Sequence, residues 1–109
     1  MHSEKTQKLI NIFSHMGMPA AVISTMAVEY KIPEDKDRIP VLYAKSTADL
    51  VRVAEVLAET RKYTILVIDN VLGIIDQQKM DNTNKYVDLK NVTLALGTIA
   101  KEHEITIIT

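Results

Sequence analysis

Asp69 is the residue of this chain best placed for chemistry, because of what precedes it. The run Thr64-Ile65-Leu66-Val67-Ile68-Asp69-Asn70 sets one carboxylate directly after four consecutive large aliphatics. An apolar run without alternation suits a strand buried on both faces, as in a parallel sheet flanked by helices. A carboxylate at the carboxyl tip of such a strand lies in the crevice where open α/β sheets bind ligands. There it can order a water-bound Mg²⁺ beside a phosphate. The same pattern also describes an ordinary buried strand whose terminal Asp begins a turn.

Other reactive residue types are scattered. His2, His15 and His103 have no helical spacing that would pair them as metal ligands, and they read as separate surface residues. His15 could equally sit beside the last carbonyls of a helix. Met16, Met18 and Met26 read as core filling. No serine lies in a nucleophile elbow. A phosphate-binding loop needs G-x-x-x-x-G-K-S/T, since glycines let backbone N–H groups approach the phosphates and the lysine neutralises them. Here Gly17, Gly73 and Gly97 are the only glycines and none precedes a lysine. Lys45-Ser46 has the closing dipeptide, but Ala44 and Ile39 occupy the glycine positions.

Composition narrows the classes. At 109 residues the chain reads as a single α/β domain. The 13 basic and 14 acidic side chains nearly cancel, so any contact with nucleic acid must come from a local patch. The absence of cysteine excludes disulfides and thiolate metal sites. No apolar segment approaches the ~20 residues of a membrane span, and the opening residues do not lead into a signal-peptide core. These features set the expectation of a soluble, cytoplasmic protein with no membrane partner.

The elements that would position Asp69 alternate along the chain. Ser3 can cap a first helix presenting Leu9, Ile12, Phe13 and Met16, with Gly17 as its stop. Behind Pro19, the spacing of Val22, Ile23, Met26 and Tyr30 predicts a helix over 19–30, although 21–25 would also pass as a short strand. Pro33 and the charges around it mark 31–38 as a solvated loop. Residues 39–44 read as a strand with Pro40 near its start. Ser46-Thr47-Ala48-Asp49 has the spacing of a capping box ahead of a stripe of Leu50, Val53, Ala54, Leu57 and Ala58. Arg61-Lys62 marks the basic end of that helix. Residues 63–69 form the buried strand, and 71–84 a polar loop after a short apolar start. Leu89, Val92, Leu96, Ile99 and Ala100 make the face of a long last helix, and 105–109 a further strand. Strand, helix, strand, helix, strand implies parallel crossovers and a three-layer, mainly parallel sheet with 40–44, 64–69 and 105–109 at its centre. Ending inside an apolar strand, the chain reads as a fragment or as one completed by a partner.

Two stretches then carry a family resemblance. Tyr63-Thr64-Ile65-Leu66-Val67-Ile68-Asp69-Asn70-Val71-Leu72-Gly73-Ile74-Ile75 resembles the Walker B strand of RecA-type ATPases. Leu94-Ala95-Leu96-Gly97-Thr98-Ile99-Ala100-Lys101-Glu102-His103-Glu104-Ile105-Thr106-Ile107-Ile108-Thr109 is similar to the helix and strand that follow it in bacterial and phage replicative helicases. The opening Met1-His2-Ser3-Glu4-Lys5-Thr6 resembles the segment after the strand that carries that family's catalytic glutamate.

The resemblance implies part of a RecA-like P-loop NTPase core. Asp69 would be the catalytic carboxylate that orders Mg²⁺ through water, with Asn70 beside it at the nucleotide. In this family the loops after this strand and the next hold single-stranded DNA. Gln77, Gln78, Lys79, Asn82, Asn84 and Lys85 are the candidates to contact it, diluted by Asp76, Asp81 and Asp88. Mg²⁺ and ATP belong to an intact parent; without a P-loop the isolated chain is expected to use neither. Expected partners are a second copy of the chain or the rest of the ATPase domain. The alternative is a non-catalytic α/β interaction protein that self-associates or pairs with an ATPase.

Overall fold

Short aliphatic runs build this domain by stacking as parallel strands whose two faces are both covered by helix. The computed structural model describes residues 2–33, 39–78 and 80–109. In chain order the elements are α1 (His2–Met16), β1 (Ala20–Ser24), β2 (Val41–Tyr43), α2 (Thr47–Glu59), β3 (Ile65–Asp69), α3 (Val71–Gln77), α4 (Asn82–His103) and β4 (Thr106–Ile108). The sheet order is β2-β1-β3-β4, and all three pairings are parallel. Among the described residues no helix is long and apolar enough to cross a membrane.

The α/β class and the parallel direction match the expectation, but the inner strand of the first half does not. Residues 20–24 are a strand, not a helix, and every one of them is buried. Ala20 and Val22 face one core while Ala21 and Ile23 face the other, so both parities are apolar and the strand period is hidden. β1 therefore stands between β2 and β3. The 40–44 and 105–109 strands are the two edges of the sheet instead of its centre.

The layers divide unequally. α2, α3 and α4 pack Leu50, Ala54, Ile74, Val92, Leu96 and Ile99 on the face of Ala21, Ile23, Leu66 and Ile68. α1 covers the other face, with Ile10 against Ala20, Val22 and Val67. Its orientation departs from the expected stripe. Ile10, Thr6 and Ser14 are buried, whereas Ile12 and Met16 are exposed, Met16 by 63%. Small polar residues four before and four after Ile10, Thr6 and Ser14, let the helix lie close to the sheet.

Helix boundaries follow from their caps. α1 begins at His2, ahead of the expected Ser3 cap, whose side chain is not among those described. It ends on Gly17 at φ +67°, with Gly17 N–H donating to Ser14 O and Met18 N–H to Phe13 O, the Schellman pattern that favours glycine. α2 starts as expected at Ser46, whose Oγ accepts from Asp49 N–H at 3.1 Å. Asp49, shorter than the usual Glu, reaches back to Lys45 N–H. The Arg52 guanidinium bonded to Asp49 holds that carboxyl below its usual range. Arg61 and Lys62 lie just past the end of α2, Arg61 in the left-handed region.

The expected polar loop over 71–84 instead holds α3 and the start of α4. Asn70 caps α3 and Asp81 caps α4, its carboxylate accepting from Asn84 N–H at 2.8 Å. Val71, Ile74 and Ile75 supply enough buried surface to hold so short a helix. The charged run at 34–38, expected as solvated loop, lies outside the described residues.

Candidate functional site

The order β2-β1-β3-β4 has a topological switch point between β1 and β3. The residues described on either side of 34–38 between β1 and β2, among them Tyr30, Ile32 and Ile39, pack on the α1 face, while α3 and α4 stand between β3 and β4 on the other. In doubly wound sheets the crevice at the carboxyl ends of such strands is where ligands bind. Ser24 is paired with Asp69 in the register of these strands, so the crevice is floored by Ser24, Thr25, Asp69 and Asn70.

The floor is fixed by one hydroxyl. Thr25 N–H donates to Asp69 O at 2.8 Å, extending the ladder past the last pair. Thr25 Oγ1 accepts from Asn70 N–H at 3.0 Å and donates to Asn70 O at 2.7 Å. The Asp69–Asn70 peptide that it spans is cis. Asn70 then turns its side chain to the helix, accepting from Gly73 N–H. A Cβ at Gly73 would lie 2.6 Å from Asn70 Oδ1, so a larger residue there would push the Asn70 amide off its cap position. The Asn70 amide oxygen is thus committed to structure, which leaves its amide nitrogen for any ligand.

Asp69 is 2% exposed, and its Oδ2 accepts from the Tyr30 hydroxyl at 2.6 Å. Burial, reinforced by this bond, pushes the Tyr30 phenol up to about 12, so it stays a proton donor at neutral pH. Tyr30 belongs to a strap, 25–33, laid across the crevice. Gln7 on α1 holds the strap through Nε2–H to Lys31 O at 2.8 Å and through Oε1 from Lys31 N–H at 2.9 Å. The Tyr43 hydroxyl on β2 donates to Val28 O at 3.0 Å.

Among the described residues no three acidic, histidine or cysteine side chains converge. Asp69, buried and already bonded to Tyr30, does not by itself make a metal site of the protein alone.

The candidate nucleic-acid residues are not one loop. Gln77 ends α3, while Asn82, Asn84 and Lys85 lie in the first turn of α4. Gln77, Asn82 and Asn84 are exposed, and Lys79 lies outside the described residues. Gln78 is turned inward. Its Oε1 accepts from Thr47 N–H at 3.2 Å and its Nε2–H donates to Asp88 Oδ2 at 2.7 Å. Thr47 Oγ1 closes the triangle on Asp88 at 3.0 Å. This clamp ties the α3–α4 turn to the start of α2.

A second concavity runs beside the β4 edge. This groove, about 520 Å³, is walled by Leu72, Leu89, Leu96, Gly97 and Ile107 and reaches Asn70 at one end. No protein-family model matches the chain, and no curated protein matches it.

The residues missed from sequence are Ser24, Thr25 and Tyr30. Their signal was present, since Ala20-Ala21-Val22-Ile23 followed by Ser24-Thr25 has the same form as the run that ends in Asp69-Asn70. Reading both as strands would have set the two polar tips side by side.

Proposed function

We propose that this chain is the Walker B-carrying part of a RecA-like, DNA-dependent ATPase of the replicative helicase kind, inactive by itself. The observation that carries the reading is the position of Asp69, a buried carboxylate at the tip of an inner parallel strand, in the switch-point crevice and beside a capped helix. In this role Asp69 orients Mg²⁺ water while the ion neutralises phosphate charge. Asn70 fixes the start of α3, and thereby the direction in which Gln77, Asn82, Asn84 and Lys85 face the nucleic acid. The phosphate cradle has to come from residues outside these 109, as no glycine here precedes a lysine.

The test is extension. The reading frame around the coding sequence is examined for G-x-x-x-x-G-K-S/T before a helix, and the extended protein is assayed for ATP hydrolysis with and without single-stranded DNA. DNA-stimulated hydrolysis by the extended protein, with none from residues 1–109, is expected. A frame without a glycine-rich loop would overturn the reading.

A second reading is favoured by the groove beside β4. A non-catalytic module that pairs with another copy through that edge would bury Ile107 and Leu72 and satisfy the outer backbone groups of β4. Light scattering over a hundredfold range of concentration tests the pairing. A concentration-dependent dimer supports pairing; a monomer throughout removes it.

A further inference from the structure

We propose that the open side of β4 takes the β4 strand of a second copy, antiparallel, with the two Ile107 residues opposed on a two-fold axis. The two four-stranded sheets then join into one, and the groove beside each β4 is completed by the other copy's Ile107. The inference rests on the pairing reading above and adds its direction and register.

Three observations carry it. The first is which backbone groups are free. β4 is paired on one side only, with β3. Successive residues of a strand turn their N–H and C=O to opposite sides of it. Thr106 N–H donates to Thr64 O at 2.9 Å, so Thr106 and Ile108 face β3, and within β4 only Ile107 directs both groups outward. Across a two-fold axis the two Ile107 residues exchange both bonds, as in the hydrogen-bonded pair of an antiparallel ladder. An axis on Thr106 would need Ile105 N–H, which is spent on Ala100 O at 3.0 Å. An axis on Ile108 would pair residues 107–109 alone and leave Ile105 and Thr106 without a partner strand.

The second is the contrast between the two edges of the sheet. β2 is entered through Pro40 and left close to Lys45, a missing donor and a charge of the kind that discourage pairing. Ile105-Thr106-Ile107-Ile108-Thr109 has neither, and every residue in it is β-branched. Two such strands meet without like charges opposed. The third is room. The groove of about 520 Å³ has Ile107 and Thr109 among its walls beside Leu72, Leu89 and Leu96, so α3 and α4 leave this face of β4 partly open. A two-fold axis perpendicular to the sheet keeps both helix layers on the same side, and directly opposed residues share a face. The two α4 helices then stand apart across the joined grooves, and each half-buried Ile107 side chain is covered by the other.

The experiment is a cysteine scan of the full chain, which has no cysteine of its own, with light scattering beside it. Thr106→Cys, Ile107→Cys and Ile108→Cys are each treated with oxidised glutathione at a concentration where the dimer forms. On the axis the two Ile107 Cα atoms lie about 5.5 Å apart, within reach of a disulfide, whereas Thr106 is opposed to Ile108 and neither to itself. Of the three single-cysteine chains only Ile107→Cys should cross-link, and a mixture of Thr106→Cys with Ile108→Cys should give the mixed dimer. Ile107→Pro removes the outward N–H at a position where an edge strand tolerates proline. It should keep the circular dichroism spectrum and weaken the dimer about tenfold or more, the scale of two lost hydrogen bonds.

A cross-link in all three single-cysteine chains would mean parallel strands, and none in Ile107→Cys would mean another register. Either result overturns the inference, and a dimer still weakened by Ile107→Pro leaves pairing through this edge standing. A dimer indifferent to Ile107→Pro, or a monomer at every concentration, would overturn both. If Ile107→Pro does not fold, the cross-links decide.

Discussion

Thr25 and Asn70 clasp each other across the tips of β1 and β3, the threonine hydroxyl accepting from Asn70 N–H at 3.0 Å and donating to Asn70 O at 2.7 Å. One side chain thereby satisfies both polar groups of a residue at which a buried strand becomes a helix. Thr25→Val keeps the shape and strands both groups, so it should cost about 1–3 kcal/mol. Thr25→Ser should recover most of that. Urea unfolding of the three chains checks it, and an unchanged midpoint in Thr25→Val would show that water replaces the clasp.

The Asn70 cap and Gly73 should behave as one unit. Alanine at Gly73 gains up to about 1 kcal/mol of helix propensity, but its Cβ would meet Asn70 Oδ1 at 2.6 Å. In an Asn70→Ala background, where that oxygen is gone, Gly73→Ala should stabilise. In the wild-type background the gain should be cancelled or reversed. A double-mutant cycle with a coupling of about 1 kcal/mol or more is expected, and additive effects would contradict the contact.

Val67 lies in β3 under α1 and is 2% exposed. Val67→Asp places an unpaired charge there and should cost several kcal/mol, on the order of 3–5. Thermal unfolding reads this directly. A melting curve close to wild type would mean that α1 does not cover this face.

Tyr30 predicts the alkaline side of the stability profile. Its phenol rises from an ordinary 10.0 to about 12 in the folded protein. A raised folded value stabilises the fold fully below the unfolded value, and that stability is lost as pH climbs from about 10 through about 12. Denaturant midpoints of wild type and Tyr30→Phe should therefore converge over that window, since the variant has no phenol to titrate. Parallel profiles would show that Tyr30 is free of Asp69.

Ser14 offers the opposite sign. Its hydroxyl is buried on α1 with no hydrogen-bond partner among the described residues. Ser14→Ala removes an unpaid desolvation and adds helix propensity, so it should stabilise by about 1 kcal/mol. A destabilised variant would mean that the hydroxyl is in fact bonded.

How much of this was legible depended on how each residue's pattern could be read. The β3 strand stood out because four aliphatics in a row admit little else, and the α2 and α4 stripes followed from Leu50, Leu57, Val92 and Leu96. β1 did not, because a strand buried on both faces carries no alternation and Val22, Ile23 and Met26 happen to fall at helical spacing. That one misreading displaced the site, for it hid Ser24 and Thr25 at the carboxyl end of an inner strand and, with them, the bond from Tyr30 to Asp69. The α3 helix was obscured by Gly73, which reads as a breaker in sequence but in space leaves room for the Asn70 side chain that caps the helix. The roll of α1 could not be read either, since Thr6 and Ser14 look like solvent-facing positions until a sheet lies against them.

The account turns on Asp69 as the carboxylate that orders a nucleotide's Mg²⁺. The most direct measurement is ATP turnover by the extended, P-loop-bearing protein with Asp69→Asn, alongside circular dichroism to confirm an intact fold. The amide keeps the size of the side chain and an acceptor for Tyr30 while removing the charge. Turnover should fall by about 10²-fold or more, the scale of losing a preorganised electrostatic contact to the transition state, with the spectrum unchanged. Undiminished turnover in a folded Asp69→Asn protein would contradict the account.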